Sequence, residues 1–150
     1  MTTTQQIDAL ISMVEKAVED GLSYFEGPGA ESGVKIDLWT PREVLCHMIY
    51  WHQATVEGME AIVSGKSPQK IYASTDEMNA RAVGRASGKS IAKLADEVRG
   101  LQARLSKAAR EMPDPDVTVL IRSDNSESTG LQRLELITKH WNAHIEELKG

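Results

Sequence analysis

Apolar residues recur every three or four positions near the start of the chain, which is the spacing of one face of an amphipathic helix. This pattern predicts a first helix from Thr4 to Phe25. Its inward positions are Ile7, Leu10, Ile11, Val14, Val18, Leu22 and Phe25. The stretch EGPGAESGV then interrupts the pattern with glycine and proline, which favour turns over helix.

The segment WTPREV carries the most complete helix-start signal in the chain. Thr40 is the predicted N-cap, Pro41 suits the first helical position, and Glu43 completes a capping box. The apolar stripe of this second helix runs through Val44, Met48, Trp51, Thr55, Met59 and Ile62. Gly65 and Pro68 mark its end.

A connection of about ten residues, KSPQKIYAST, separates the second helix from the third, longer than is usual between neighbouring helices. Ser74 and Glu77 form a further candidate capping box before the segment DEMNARAV. Gly84 and the following SGKS indicate either a kinked helix or a separate short one. A heptad stripe then predicts a long helix that Pro113 and Pro115 end. Its members are Ile91, Leu94, Val98, Leu101, Leu105, Ala108 and Met112.

The segment DVTVLIRSD is rich in β-branched residues, as strands are. Since no second segment offers itself as a partner strand, we interpret it as an extended linker. A last helix is predicted from about Gly130 to Leu148, with inward positions Leu131, Leu134, Ile137, Trp141, Ile145 and Leu148. The pattern as a whole predicts an all-α fold, a four-helix bundle in a single domain over residues 1–150.

Composition narrows the classes of partner and compartment. The 150 residues carry a net charge of −5, which argues against nucleic acid because that affinity depends mainly on a basic surface. A single cysteine, Cys46, excludes an intramolecular disulfide and fits a reducing compartment. No N-terminal targeting pattern or membrane-spanning apolar run is present. We therefore expect a cytoplasmic protein without membrane contact.

The four histidines fall in two short windows. His140 and His144 are one helical turn apart, so their imidazoles lie on the same side and can chelate one ion. A catalytic site of this type needs a third protein ligand. His47 and His52 both qualify, but positions five apart point about 140° away from each other, so both cannot reach one ion. Periodicity leaves this choice open.

Other residues near these histidines have simpler interpretations. A single histidine at the shoulder of a helix is more often solvated or hydrogen-bonded than a ligand, and it is the joint pattern that favours a metal. Cys46 adjoins His47 in sequence, but adjacent helical residues point apart, which predicts a buried and inert thiol. Asp76 and Asn79 are candidates for the lining of a pocket near one end of the bundle.

Three segments, LWTPREVLCHMIYWHQATVEGM, TDEMNARAV and HWNAHIEEL, resemble in order the DinB-like superfamily. The resemblance is closest to the branch of mycothiol-dependent maleylpyruvate isomerases and more distant to colibactin-resistance-type proteins. Within that superfamily, an [LI]-x-H segment of the second helix supplies one metal ligand, and H-x-x-x-H or E-x-x-x-H of the fourth helix supplies the other two. The resemblance therefore implies His47, His140 and His144 as ligands. His52 would lie behind the ligands or on the surface.

The resemblance also implies a function. We expect a divalent-metal-dependent enzyme that acts on a small electrophile, a transferase or isomerase that uses a low-molecular-weight thiol, or a hydrolase. Zn²⁺, Ni²⁺ and Fe²⁺ all suit imidazole ligands. Asn79 and Asp76 are the candidate catalytic residues, which would orient the substrate, and a homodimer is expected. The alternatives are a non-catalytic bundle that binds a small molecule in a stress response, and a metal-free hydrolase of the colibactin-resistance type.

Overall fold

The computed structural model describes residues 3–31, 39–85 and 88–150. Within them, four long helices and a short one account for most of the chain. They are α1 (Thr4–Glu26), α2 (Pro41–Val63), the short α3 (Thr75–Arg85), α4 (Ile91–Glu111) and α5 (Gly130–Lys149). The four predicted long helices are confirmed. The break after Gly84 is resolved in favour of a separate short helix, because α3 ends at Arg85 and Ser90 caps the start of α4.

Side-chain caps define where the helices begin. Thr40 accepts a hydrogen bond from the backbone N–H of Glu43, whose carboxylate accepts one from the backbone of Thr40, so the predicted capping box is confirmed. Only half of the second predicted box forms. Ser74 Oγ accepts from the backbone N–H of Glu77 at 3.2 Å, while the Glu77 carboxylate accepts from Arg81 at 2.7 Å.

The bundle core lies where α1 packs against α5 and α2 packs against α4. The largest fully buried side chains include Phe25, Met48, Leu94, Leu105 and Trp141, all of them on the apolar stripes read from the sequence. The stripes also extend to partly buried positions such as Leu10, Ile62 and Leu131. None of the helices in the described residues has the length and apolar character that crossing a membrane would require.

A small sheet corrects the interpretation of DVTVLIRSD as a linker. Its three strands are β1 (Gln69–Lys70), β2 (Thr118–Ile121) and β3 (Glu127–Thr129). The central β2 pairs in parallel with β1 and antiparallel with β3. The linker interpretation was wrong because the partner strands are only two and three residues long and polar, so they carry no alternating pattern that a sequence analysis could recognise.

The sheet packs on α2 and thereby positions the segment that precedes α5. Val119 and Leu120 of β2 are fully buried against the bundle. Gly58 of α2 allows this close approach, since a Cβ at that position would lie 2.3 Å from the carbonyl oxygen of Val119. The chain then turns through Asn125, whose φ of 69° is left-handed, and β3 leads directly into α5 at the cap residue Thr129.

Candidate metal centre

Three imidazoles meet between α2 and α5. His47 comes from the second turn of α2, and His140 and His144 lie one turn apart on α5. His140 Nε2 is 2.8 Å from His47 Nε2 and 2.9 Å from His144 Nε2. One ligand nitrogen from each ring lies within 4.8 Å of the other two. The geometry thus brings together His47 and not His52, in agreement with the resemblance.

Asn79 of α3 determines which nitrogen of His47 faces the other rings. Asn79 Oδ1 is 2.6 Å from Trp51 Nε1, a group that only donates, so the atom that it contacts must be the amide oxygen. The same oxygen is 2.8 Å from His47 Nδ1, which therefore carries the hydrogen. The remaining nitrogen, His47 Nε2, presents its lone pair to His140 and His144.

Hydrogen bonds within the cluster cannot satisfy these close approaches. A neutral imidazole nitrogen bears either a hydrogen or a lone pair. If His140 Nε2 donated its hydrogen to His47, it could not also donate toward His144, and one of the two short contacts would remain without a hydrogen bond. A cation between the rings would satisfy three lone pairs at once, so the donor set fits a divalent metal.

Burial lowers the pKa of each imidazole in the cluster, because it disfavours the charged form. Burial lowers the pKa of His47 to about 4, although its bond to Asn79 acts in the opposite direction. The pKa of His140 falls to about 3, since its neighbours His47 and His144 reinforce the effect of burial. The pKa of His144 is lowered by burial as well. At neutral pH the rings are therefore uncharged and able to bind a cation.

His52 and Asp76 lie outside the three-histidine cluster. His52 is fully buried and packs edge-on against Trp141 at 6.3 Å between ring centroids, so a surface position for it is wrong. Neither of its ring nitrogens has a hydrogen-bond partner among the described residues. Asp76 is exposed in the first turn of α3. Asn79 is the one of the two candidate catalytic residues that contacts the cluster.

A cavity of about 360 Å³ opens beside the cluster. His47 and His140 form one part of its wall, and Trp51, Ile137 and Ala143 contribute apolar surface. Such a mixture of apolar wall and a few polar groups is typical of small-molecule sites. A larger cavity of about 510 Å³ lies between α2, β1 and α3, but none of the three clustered histidines lines it. The smaller cavity is therefore the one placed for chemistry at the cluster.

Two arginines in this cavity were missed by the sequence analysis. Arg133 of α5 is buried, and Arg122, which follows β2, lies over the ring of Trp51 at 5.4 Å. A signal for Arg133 was present in its spacing. It precedes His140 by seven residues and His144 by eleven, so each histidine lies within about 20° of Arg133 around the helix. For Arg122, which follows a strand that the pattern did not predict, no comparable signal exists.

Comparison with protein families identifies this fold. Residues 4–148 match the family model described as the DinB superfamily. A search of curated proteins gives no match. The family match therefore spans nearly the whole chain and includes all three clustered histidines.

Solved structures give the same fold. The crystal structures of a mycothiol-dependent maleylpyruvate isomerase and of a histidine-to-alanine mutant of it each match with a TM-score of 0.74 and 17% sequence identity. The match covers 99% of this chain but 63% of the isomerase chain. At this identity the likeness concerns the fold, and the activity of the longer isomerase is not carried over with it.

Proposed function

We propose that this chain, which belongs to the DinB superfamily, is a metal-dependent enzyme that uses a thiol or water to attack a small electrophilic molecule. His47, His140 and His144 would hold the divalent cation. The observation that carries the proposal is the meeting of three uncharged imidazoles beside a cavity, with the tautomer of His47 set by Asn79. Likeness in fold to a mycothiol-dependent isomerase adds support.

The chemistry follows from an incomplete ligand set. Three protein ligands would leave one coordination position of the bound cation open, and the cation would lower the pKa of a thiol or water bound at that position, so that the anion would be available as a nucleophile at neutral pH. The cation would be Zn²⁺, or Ni²⁺ or Fe²⁺, since imidazole ligands suit all three.

The residues of this chain have defined parts in the proposal. Asn79 keeps the lone pair of His47 directed into the cluster. Trp51 and Ile137 exclude water from the wall beside it, and the cavity holds the electrophile near the rings. That Asn79 and Asp76 orient the substrate stays a prediction. The use of a low-molecular-weight thiol and the formation of a homodimer stay predictions as well.

Elemental analysis of protein purified without a metal-affinity tag tests the metal centre. We expect about one equivalent of metal per chain in the wild type and near none in His140→Ala and His144→Ala, with helical circular dichroism retained. His52→Leu is the matched control, because His52 is a buried histidine of α2 outside the cluster, and it should retain the metal.

An activity measurement tests the rest of the proposal. Metal-loaded protein should accelerate the consumption of a small thiol or the hydrolysis of an electrophile, and removal of the metal should abolish the acceleration. Turnover that survives chelation would favour a metal-free hydrolase instead. Absence of both metal and turnover, with a small molecule bound in the cavity, would favour a non-catalytic binding protein.

A further inference from the structure

The guanidinium of Arg133 is an unusual group to find inside this bundle. The side chain is 2% exposed. Its Nε–H donates to Thr55 Oγ1 at 2.9 Å, and Thr55 in turn donates to the backbone carbonyl of Trp51. Its Nη1 has no hydrogen-bond partner among the described residues. A buried charge with unused donors is costly, because it has lost the water that would otherwise surround it.

The charged group that most affects Arg133 is a second cation. Burial and, to a smaller extent, the neighbouring Arg122 together lower the pKa of Arg133 to about 10, which still leaves the side chain charged at neutral pH. Arg122 is itself partly buried, and its Nε lacks a hydrogen-bond partner in the part of the chain that the structure describes. Two guanidiniums with unused donors are therefore near enough to repel each other, and the structure shows no ion pair between either of them and a carboxylate of the described residues.

Both arginines line the cavity that adjoins the histidine cluster. The described residues of its wall include Lys139 as well and contain no aspartate or glutamate. The seven residues from Arg133 to His140 correspond to a rise of about 10 Å along α5. Because the same cavity of about 360 Å³ borders both the guanidiniums and the imidazoles, a small molecule held in it can reach both kinds of group.

We propose that Arg133, together with Arg122, binds a carboxylate group of the small electrophile on which the enzyme acts. The anion site stands on the arginines and the cavity, and its assignment to the electrophile rests on the proposed function. A carboxylate matches the planar fork of a guanidinium with two parallel hydrogen bonds. A phosphate dianion fits less well, because the accessible surface of the cavity is largely apolar and therefore suits an anionic group carried on a small apolar body.

Binding of butyrate, a monocarboxylate with a small apolar body, tests the anion site. Uniformly ¹⁵N-labelled protein is freed of metal by chelation, desalted to remove the chelator, and titrated with sodium butyrate in a zwitterionic buffer of low salt. We expect saturable shifts of the Arg133 Nε–H and Trp51 Nε1–H resonances. Butyramide, which has the same shape without the charge, should produce no such shifts. Equal shifts with both compounds would overturn the proposal.

Variants identify the binding group. Arg133→Met should weaken butyrate binding by roughly tenfold or more, which is the loss expected for a charge-assisted pair of hydrogen bonds. Arg122→Met should weaken butyrate binding as well. Because Arg122 is only partly buried, this variant replaces Arg133→Met as the test if Arg133→Met fails to fold. Arg104→Met is the matched control, because Arg104 pairs with Glu60 on the exposed surface and lies outside this cavity. Unchanged affinity in Arg122→Met and in folded Arg133→Met would refute the assignment.

Two further titrations separate the sources of the anion. If inorganic phosphate produced these shifts and butyrate did not, the carboxylate assignment would be excluded.

The second titration uses metal-loaded protein. Butyrate should bind equally well with and without saturating 2-mercaptoethanol, because the thiol and the carboxylate are expected to occupy different positions. Loss of butyrate binding under the thiol would contradict its assignment to the electrophile. Since the first titration uses metal-free protein, absence of metal binding would refute the proposed function and leave the anion site measurable.

Discussion

Asn79 and His47 are joined by a hydrogen bond of 2.8 Å between Oδ1 and Nδ1 that spans from α3 to α2. Groups that orient a metal-binding histidine in this way commonly change metal affinity by about 10- to 100-fold when they are removed. We therefore expect Asn79→Ala to lower metal affinity by that factor, as measured by competition with a chromogenic chelator. Asn79→Asp retains an acceptor and should bind the metal at least as tightly as the wild type.

The control for Asn79 is Asn142→Ala, an exposed asparagine on α5 between the two histidines of that helix. Its substitution should leave metal affinity within about twofold. If Asn79→Ala and Asn142→Ala bound the metal equally well, the orienting role of the amide would be refuted.

His52 predicts a dependence of stability on pH. Burial lowers its folded-state pKa from 6.5 to about 4. Between these pH values the unfolded chain binds a proton that the folded chain does not, so the free energy of unfolding rises with pH across this window. This contribution of His52 to the free energy of unfolding is fully present above pH 6.5, and up to about 3 kcal/mol of it is lost as the pH approaches 4.

Comparison with His52→Leu isolates this contribution, since His47 and His140 titrate in the same direction. Urea denaturation at pH 7.5, 6 and 5 should give a smaller loss of stability for the variant. At pH 7.5 the variant should also be more stable by roughly 1 kcal/mol, because two buried nitrogens without partners are replaced by apolar surface. An identical pH profile in both proteins would contradict the prediction.

Gly58 should resist substitution. A methyl group at this position would lie 2.3 Å from the carbonyl oxygen of Val119, so α2 and β2 would have to move apart. We expect Gly58→Ala to lower the free energy of unfolding by about 2–3 kcal/mol. Gly100→Ala is the matched control, since Gly100 lies in α4 with open space around it, and it should stabilise the protein by about 0.5–1 kcal/mol. Equal effects of the two substitutions on urea denaturation would show that the contact with β2 is unimportant.

Cys46 is predicted to be unreactive in the folded protein. The residue is 2% exposed, and burial raises the pKa of its thiol. Its reaction with Ellman's reagent at pH 8 should therefore be slower by on the order of a hundredfold in native protein than in urea. A rapid reaction without denaturant would contradict the predicted buried and inert thiol.

The parts of the structure that could be predicted are those that depend on local patterns. Helix periodicity and capping residues such as Thr40 determine structure over a few neighbouring positions, so α2 was predicted closely. The spacing of His140 and His144 likewise follows from one helix. Periodicity could not choose between His47 and His52, because that choice depends on how α2 rotates against α5, and the resemblance was needed to make it.

What escaped prediction depends on contacts between distant segments. Gln69 and Lys70 form β1 because β2 lies beside them, and their own side chains give no strand signal. The interaction of Asn79 with His47 and Trp51 exists because α3 packs against α2. Arg133 has a helical spacing that matches the histidines, but its burial depends on Thr55 and on the apolar wall around it.

The 93 positions that separate His47 from His140 have a consequence during synthesis. The imidazole of α2 emerges from the ribosome long before its counterparts on α5 exist, and no local segment can assemble the cluster by itself. Until α5 has been translated and has packed against α2, the nascent chain has only the imidazole of His47, and a single imidazole has a low affinity for a cation. Any ion that the three-histidine cluster binds is therefore selected by the folded domain, after α5 has been translated.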